Sequence, residues 1–172
     1  MDLHALPLGN QAPEKLNVVI EISTGSHNKY EYDHELGVMK LDRVLFSPFF
    51  YPIDYGFLPQ TLADDGDPLD VLVVTDAPVF PGCVCEVRPI GLLKMSDDKG
   101  GDDKVLAVPA DHPRYAHIKE LSDVSPHLLE EITHFFSHYK DLEKKKVTVE
   151  GWHDRQTAYA VIKTAQAEFG SN

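Results

Sequence analysis

Tyr51–Val73, YPIDYGFLPQTLADDGDPLDVLV, is the stretch that says most about the fold and the site. Its centre, Asp64–Asp70, holds four aspartates within seven residues and no basic residue. The glycine and the proline inside it favour a turn, so the carboxylates converge rather than spread along a strand. Two like charges about 5 Å apart repel by roughly 3 kcal/mol at an effective dielectric constant near 20, so such a cluster needs cations. Oxygen ligands without nearby cysteine or histidine favour Mg²⁺ or Mn²⁺ over zinc.

A second acidic segment, Ser96–Lys104, contains four aspartates and two glycines and connects two predicted strands. If those strands are neighbours in a small barrel, both acidic turns open at the same rim. A single acidic turn is most often a solvated surface loop, whereas two clusters favour a joint metal site. An EF-hand is excluded, because a loop starting at Asp65 has Leu69 and Asp70 where that motif needs a ligand and a glycine.

Around these turns, short β-branched or alternating runs predict strands, and helical periodicity comes only late in the chain. The predicted strands are Asn17–Ile22, Lys29–Asp33, Leu41–Phe46, Val71–Val74, Val84–Leu93 and Lys104–Val108, with a seventh candidate at Lys146–Glu150. Ser125 and Pro126 indicate the start of one helix, and Asp154 the cap of another. Their apolar stripes are Leu128, Ile132, Phe135, Tyr139 and Leu142, then Ala158, Val161, Ile162, Ala165 and Phe169. This order predicts an α+β fold with a sheet or barrel covered on one side.

The charge balance restricts the partners. The 172 residues include 16 Lys and Arg against 28 Asp and Glu, a formal net charge of −12. Nucleic acids and anionic membranes need a basic face, so neither is expected as the main partner. No apolar run is long enough for a membrane span, and no secretory signal is visible. We therefore expect a cytoplasmic protein with one domain spanning residues 1–172.

The basic and phenolic side chains that could bind phosphate are few, so their placement matters. Lysine, arginine and tyrosine are the donors that phosphate sites use. Candidates occur on the predicted strands, in the aromatic segment before the first acidic turn, and at the end of the late helix. They are Lys29, Arg43, Tyr55, Lys104, Tyr139 and Lys140. Composition alone does not assemble them into a site.

Three segments together resemble the soluble (family I) inorganic pyrophosphatases of the short bacterial type. They are Tyr51–Val73, then Gly91–Pro109 (GLLKMSDDKGGDDKVLAVP), then His134–Glu143 (HFFSHYKDLE). The DGDPLDV heptad, Asp65–Val71, matches the signature of that family at every position. The similarity covers most of the chain and keeps the order and spacing of the motifs.

The resemblance implies a small five-stranded OB-like β-barrel with additional strands, flanked by two C-terminal helices, and a homohexamer. It also implies hydrolysis of pyrophosphate to two phosphates with several Mg²⁺ ions. By its position in the heptad, Asp67 resembles the residue that acts as the general base in this family. The resemblance further implies that Asp65, Asp70, Asp97 and Asp102 are direct metal ligands and that Glu21 and Glu31 are outer ligands. The substrate-binding set is Lys29, Arg43, Tyr55, Lys104, Tyr139 and Lys140. One departure is that Ile22–Asn28, before Lys29, is about one residue shorter than the family pattern.

Two alternatives stay open at this point. One is a non-catalytic domain on the same scaffold that binds divalent cations or phosphate, and Asp67 together with the phosphate-binding set weighs against it. The other is an OB-type nucleic-acid binder, which the acidic charge disfavours. His134 and His138, four residues apart on the late helix, are expected to form a subunit contact rather than a zinc site.

Overall fold

The computed structural model describes residues 2–171. Its strands are β1 (Leu16–Ile22), β2 (Asn28–Asp33), β3 (Val38–Val44), β4 (Asp54–Phe57), β5 (Asp70–Val73), β6 (Val84–Asp97), β7 (Gly100–Gly101), β8 (Lys104–Pro109) and β9 (Thr148–Asp154). Its α-helices are α1 (Pro126–His138) and α2 (Arg155–Gly170), and short 3₁₀ turns lie at Pro113–Tyr115, Leu121–Asp123 and Asp141–Glu143.

Five of these strands close into a barrel. β1 pairs antiparallel with β4 and with β6, β4 pairs antiparallel with β5, β5 runs parallel to β8, and β8 returns antiparallel to β6. β6 is 14 residues long, so its first part closes the ring with β1 and its last part pairs with β9. The α+β architecture with an OB-like barrel and two C-terminal helices is confirmed.

The four-residue strand β4 is absent from the sequence-based prediction, which saw only a segment rich in proline and aromatic residues. Its strand geometry comes from its partners on both sides, β1 and β5. A Cβ atom at Gly56 would lie 1.9 Å from the carbonyl oxygen of Val19, so only glycine permits this close approach. Tertiary pairing therefore decides this strand.

The strands β2 and β3 form a separate two-stranded sheet. The predicted range Leu41–Phe46 for the second of them is wrong at both ends. β3 begins directly after Gly37, which takes a φ of +68° in the connecting turn, and it ends at Val44. Phe46 lies beyond it and is 62% exposed. Hairpin closure, which single-strand periodicity does not report, sets these limits.

Both helices form, with shorter apolar stripes than predicted. Helix α1 ends at His138, so Tyr139 is its C-cap, and Leu142 lies beyond it with 61% of its surface exposed. Asp154 caps α2 as predicted, because its carboxylate accepts a hydrogen bond from the Thr157 amide at 2.9 Å. Asp154 is also the last residue of β9, which starts and ends later in the chain than the predicted strand Lys146–Glu150. Phe169 is 42% exposed, so it is not part of the buried stripe of α2.

The helices cover different parts of the barrel. Ile132, Phe135 and Phe136 of α1 join one buried cluster, and Ala158 and Ile162 of α2 join another. Among the described residues, no helix combines the length and the apolar character that crossing a membrane requires.

Candidate active site

An open cavity of about 530 Å³ lies between the acidic turns, the β2–β3 hairpin and the end of α1. Every residue that the sequence assigned to the site lines it: Glu21, Lys29, Glu31, Arg43, Tyr55, Asp65, Asp67, Asp70, Asp97, Asp102, Lys104, Tyr139 and Lys140. The other lining residues are His4, Tyr32, His34, Asp42, Phe57, Pro68, Asp98, Lys99 and Lys145. The fold therefore gathers the predicted residues in one place, while their individual roles stay predictions.

The parallel pair β5 and β8 explains why the two acidic turns meet. Asp70 begins β5 and Lys104 begins β8, and the register places these two residues opposite each other. The first acidic turn enters β5, and the second leads from β6 into β8. In the first turn Gly66 has a φ of +89°, and the amide of Asp67 donates to Oδ1 of Asp65 at 3.1 Å. Both turns consequently open on the same rim of the barrel.

Lys104 lies at the floor of the cavity, with 1% of its surface exposed. Its Nζ donates to Oδ2 of Asp70 at 2.6 Å and to Oδ1 of Asp102 at 2.8 Å. Burial alone would lower the pKa of the ammonium, but the two carboxylates outweigh burial and raise it. The group is therefore permanently charged and neutralises two aspartates from different turns.

Lys104→Met is expected to lower the free energy of unfolding by about 3 kcal/mol without divalent cations, because it leaves two partly buried carboxylates without their counter-charge. Urea unfolding in chelator measures the effect. Lys94→Met is the matched control, since Lys94 pairs with Glu150 on the surface at 3.7 Å, and its loss should cost less than about 1 kcal/mol. Equal destabilisation by the two substitutions would contradict this account.

A second lysine holds the second acidic turn. Nζ of Lys140 donates to Oδ2 of Asp97 at 2.8 Å. Burial tends to raise the pKa of Asp97, but hydrogen bonds from Lys140 and from the Lys99 amide lower it overall. The neighbouring Tyr139 is buried and Tyr55 is partly buried, and burial raises the pKa of both phenols. Both phenols therefore keep their protons at neutral pH and can act as hydrogen-bond donors.

Glu21 is the most buried carboxylate that lines the cavity, with 8% of the residue exposed. Its Oε1 accepts the Tyr32 amide at 2.7 Å, which joins β1 to the hairpin. Burial raises the pKa of Glu21 to about 8, against the lowering effect of this hydrogen bond. Without a bound cation, Glu21 is therefore mostly protonated at neutral pH.

This shift gives a pH-dependent stability of defined sign. The pKa of Glu21 in the folded state is higher than its ordinary value of 4.5. Its favourable contribution to the free energy of unfolding is therefore complete below pH 4.5 and is lost as pH rises through about 8. Glu21→Gln mimics the protonated form, and in chelator at pH 8.5 we expect it to be more stable than the wild type by about 2 kcal/mol or more. The difference should shrink towards zero at pH 4.5. A difference that does not vary with pH would contradict the shift.

The hairpin supplies the opposite wall of the cavity. Lys29 on β2 lies opposite Arg43 on β3 and forms an ion pair with Glu31, two residues further along β2. Nη1 of Arg43 donates to Oδ2 of Asp42 at 2.5 Å, and its Nε donates to Oε1 of Glu143 at 2.9 Å. These contacts hold two cations at the cavity and connect the hairpin to the turn after α1.

Sequence reasoning missed Asp42 and Glu143. Strand alternation places Asp42 and Arg43 on opposite faces, but the ladder shifts register here, with Lys29 opposite Arg43 and Tyr30 opposite Leu41. Asp42 is thus the extra residue of a bulge, which turns it towards the cavity beside Arg43. Glu143 is 100 residues from Arg43 in the chain, so no local signal could have indicated it.

Comparison with known proteins gives the same family as the motifs. The family model described as inorganic pyrophosphatase matches residues 18–169. The chain belongs to the inorganic pyrophosphatase family. An inorganic pyrophosphatase of Nostoc sp. is 54% identical over 94% of this chain and 95% of its own length. The crystal structure of the Thermus thermophilus inorganic pyrophosphatase superposes with a TM-score of 0.96 at 50% identity and covers 99% of both chains. That of Coxiella burnetii has a TM-score of 0.92 at 46% identity, covering 95% and 99%.

Membership of the inorganic pyrophosphatase family makes the chain a hydrolase and implies a divalent metal cofactor. Within residues 2–171, no three carboxylate, histidine or cysteine side chains are arranged so that they could hold a metal ion. Lysines bind several of the carboxylates instead, as at Asp70, Asp97 and Asp102. The donors are nevertheless oxygen atoms only, from acids on four separate strands and turns, and this chemistry fits a hard divalent cation.

Proposed function

We propose that this chain hydrolyses inorganic pyrophosphate to two phosphates, with Mg²⁺ as its cofactor and Mn²⁺ as a substitute. The observation that carries the proposal is one cavity lined both by metal-type carboxylates and by cations and phenols. Pyrophosphate is a dense polyanion, and its hydrolysis mainly requires positioning and charge neutralisation. A cavity of mixed charge that can hold cations against a phosphate anion meets both requirements.

The carboxylates divide into two groups in this proposal. Asp65, Asp70, Asp97 and Asp102 would hold the ions directly, and Glu21 and Glu31 would reach them through water. Mg²⁺ held there would lower the pKa of water towards neutrality and would neutralise charge on the substrate. Lys104 and Lys140 would release the carboxylates that they now bind, and their N–H groups would then be available to phosphate oxygens. Binding would also remove the proton from Glu21, so cation affinity should rise with pH.

Asp67 is proposed as the general base. Among the ion pairs of residues 2–171, those of Asp70, Asp97 and Asp102 involve lysine, whereas Asp67 forms none with lysine or arginine. Its exposed carboxylate lines the cavity, and the Asx-type bond from its own amide to Asp65 fixes its backbone. A carboxylate without a competing cation can accept a proton from the attacking water within hydrogen-bond reach.

The cationic and phenolic side chains would bind the two phosphate groups. Lys29 and Arg43 approach from the hairpin, and Lys140 approaches from the end of α1. Tyr55 and Tyr139 keep their phenolic protons, so they can donate to phosphate oxygens without adding negative charge. Donors directed at the leaving phosphate stabilise the charge that develops on it.

The experiment that tests the function is a phosphate-release assay with pyrophosphate and Mg²⁺. Two phosphates should form for every pyrophosphate consumed. The rival is a non-catalytic domain that binds divalent cations or phosphate, and it predicts calorimetric binding of both without any release of phosphate. A folded protein that binds divalent cations and phosphate but releases no phosphate from pyrophosphate would contradict the proposal and support the rival. Family membership does not favour the rival.

The domain boundaries, the cellular location and the oligomeric state are further parts of the proposal. We infer one domain over residues 1–172, a cytoplasmic location and a homohexamer. An apolar groove lined by Phe49, Phe50, Pro52 and Phe135, with His134 at its side, supports a subunit contact on this face. The ring of His134 lies 4.7 Å from that of His138 and 5.7 Å from that of Phe49.

A further inference from the structure

The hairpin β2–β3 carries part of the proposed site without being hydrogen-bonded into the barrel sheet. Lys29 and Glu31 lie on β2, and Arg43 lies on β3, but in the described chain these strands pair only with each other. The carboxylates that face them across the cavity belong to the barrel and its turns. The distance between the two sets of charges therefore depends on side-chain contacts between hairpin and barrel.

Tyr32 joins the hairpin to the barrel by a hydrogen bond and by ring packing. It lies on β2 and is 7% exposed. Its amide donates to Glu21 of β1 at 2.7 Å, and its ring stacks on Phe57 of β4 with 6.2 Å between centroids. Tyr32, Phe57 and Val19 form a small buried cluster of their own.

The N-terminal arm, residues 2–15, closes over this cluster. The amide of Leu3 donates to the hydroxyl oxygen of Tyr32 at 3.1 Å. The imidazole of His4 meets the Tyr32 ring edge-on at 5.2 Å and the Phe57 ring edge-on at 4.9 Å. His4 thus contacts an aromatic residue of the hairpin and one of the barrel at the same time, and it also lines the cavity.

The arm is itself fastened to the barrel side. The amide of Gln60, just after β4, donates to the carbonyl oxygen of His4 at 3.1 Å. Further along, the Asn17 amide of β1 donates to the carbonyl oxygen of Leu8 at 2.7 Å, and Leu8 is 2% exposed. These bonds prevent His4 from moving away with the hairpin, so its ring acts as a fixed spacer.

We propose that His4 is a positioning residue of the hydrolase site, whose ring, held between Tyr32 and Phe57, sets the spacing between the hairpin cations and the barrel carboxylates. The inference rests on the proposed function, because its consequence is tighter binding of a substrate that bridges both sets. A small change in this spacing alters how well the substrate can contact both sets of charges at once. Asp67 belongs to the barrel side, so the proton-accepting step should depend on His4 much less than substrate binding does.

Packing, rather than charge, is what His4 contributes. Burial lowers the pKa of its imidazole, and the neighbouring His34 lowers it further. The carboxylates of Asp2 and Asp67 raise it, but by less than burial lowers it. The net pKa lies below the ordinary 6.5, so the ring is neutral above pH 7. A neutral ring of similar shape should therefore replace it.

The test compares three variants in the full chain with Mg²⁺ and pyrophosphate. His4→Ala should raise KM about tenfold and change kcat by less than about twofold. His4→Phe keeps the ring contacts and should restore most of the wild-type KM, with an unchanged pH profile. His117→Ala is the matched control: His117 is an exposed histidine that does not line the cavity, so its loss should leave KM within about twofold.

A second readout does not depend on activity. Amide hydrogen exchange of β2, including the Tyr32 amide bonded to Glu21, should be faster in His4→Ala and close to wild type in His4→Phe. The proposal is overturned if His4→Ala keeps the wild-type KM and exchange, or if His4→Phe is as impaired as His4→Ala and shifts the pH profile. If the wild type hydrolyses no pyrophosphate, the proposed function fails, while the exchange comparison still decides whether His4 holds the hairpin.

Discussion

Asp67→Asn is expected to lower the turnover of pyrophosphate by about 10²–10⁴-fold while the fold and cation binding are retained. The amide has nearly the same shape as the carboxylate but cannot accept the proton of the attacking water. Asp67 is exposed, and among the described residues lysine pairs with Asp70, Asp97 and Asp102 rather than with Asp67, so its neutralisation leaves no buried cation unpaired. Steady-state phosphate release measures turnover, and thermal unfolding with and without Mg²⁺ measures the fold and the binding.

Asp64→Asn is the matched control for this experiment. Asp64 lies in the same acidic turn and carries the same charge, but it is exposed and does not line the cavity. Its substitution should leave turnover within about threefold, since the charge that is lost lies outside the cavity and is screened by solvent. Comparable losses in the two variants would mean that the acidic turn acts through its total charge, and Asp67 would lose its assignment as the base.

Removal of divalent cations is expected to lower phosphate release by more than about 10³-fold, because the lysines and the arginine alone would not offset the charge of both the carboxylates and pyrophosphate, and nothing would lower the pKa of the attacking water. Restoring Mg²⁺ should restore activity fully, since Lys104 and Lys140 hold the carboxylates in place meanwhile. Mg²⁺ at about 100 times its dissociation constant should also stabilise the fold by about 2.7 kcal/mol.

The control variant for the metal experiment is Asp70→Asn. Asp70 begins β5 and pairs with Lys104, so its substitution removes a proposed ligand at the centre of the carboxylate group. We expect the stabilisation by Mg²⁺ to be much smaller in this variant. Phosphate release that persists in chelator, or full stabilisation of Asp70→Asn by Mg²⁺, would contradict the proposed metal site.

Much of the local structure was predictable from the sequence because it depends on neighbouring residues. Both acidic turns, the cap at Asp154 and the alternation that puts Lys29 beside Glu31 are short-range features, and the structure contains each of them. The family was indicated by the resemblance of three segments, the DGDPLDV heptad among them, which keep their order and spacing along the chain.

Other predictions failed where a distant partner decides the conformation. β4 exists because β1 and β5 pair with it, although its own sequence favours an irregular segment. Leu142 has helical spacing but lies beyond the end of α1 and is exposed. Periodicity reports what a segment could form, and the neighbouring surface determines how far that element extends.

The sequence by itself determined the chemistry of this protein: which residue types are present, which turns they occupy, and hence the family and the class of cation. Tertiary structure alone decided which charges from distant segments meet. The parallel register of β5 and β8 sets Asp70 against Lys104, a bulge turns Asp42 towards the cavity, and the N-terminal arm brings His4 to the hairpin. The physical reason is that turn chemistry is fixed within a few residues, whereas register, bulges and docking depend on pairing between segments that are far apart in the chain.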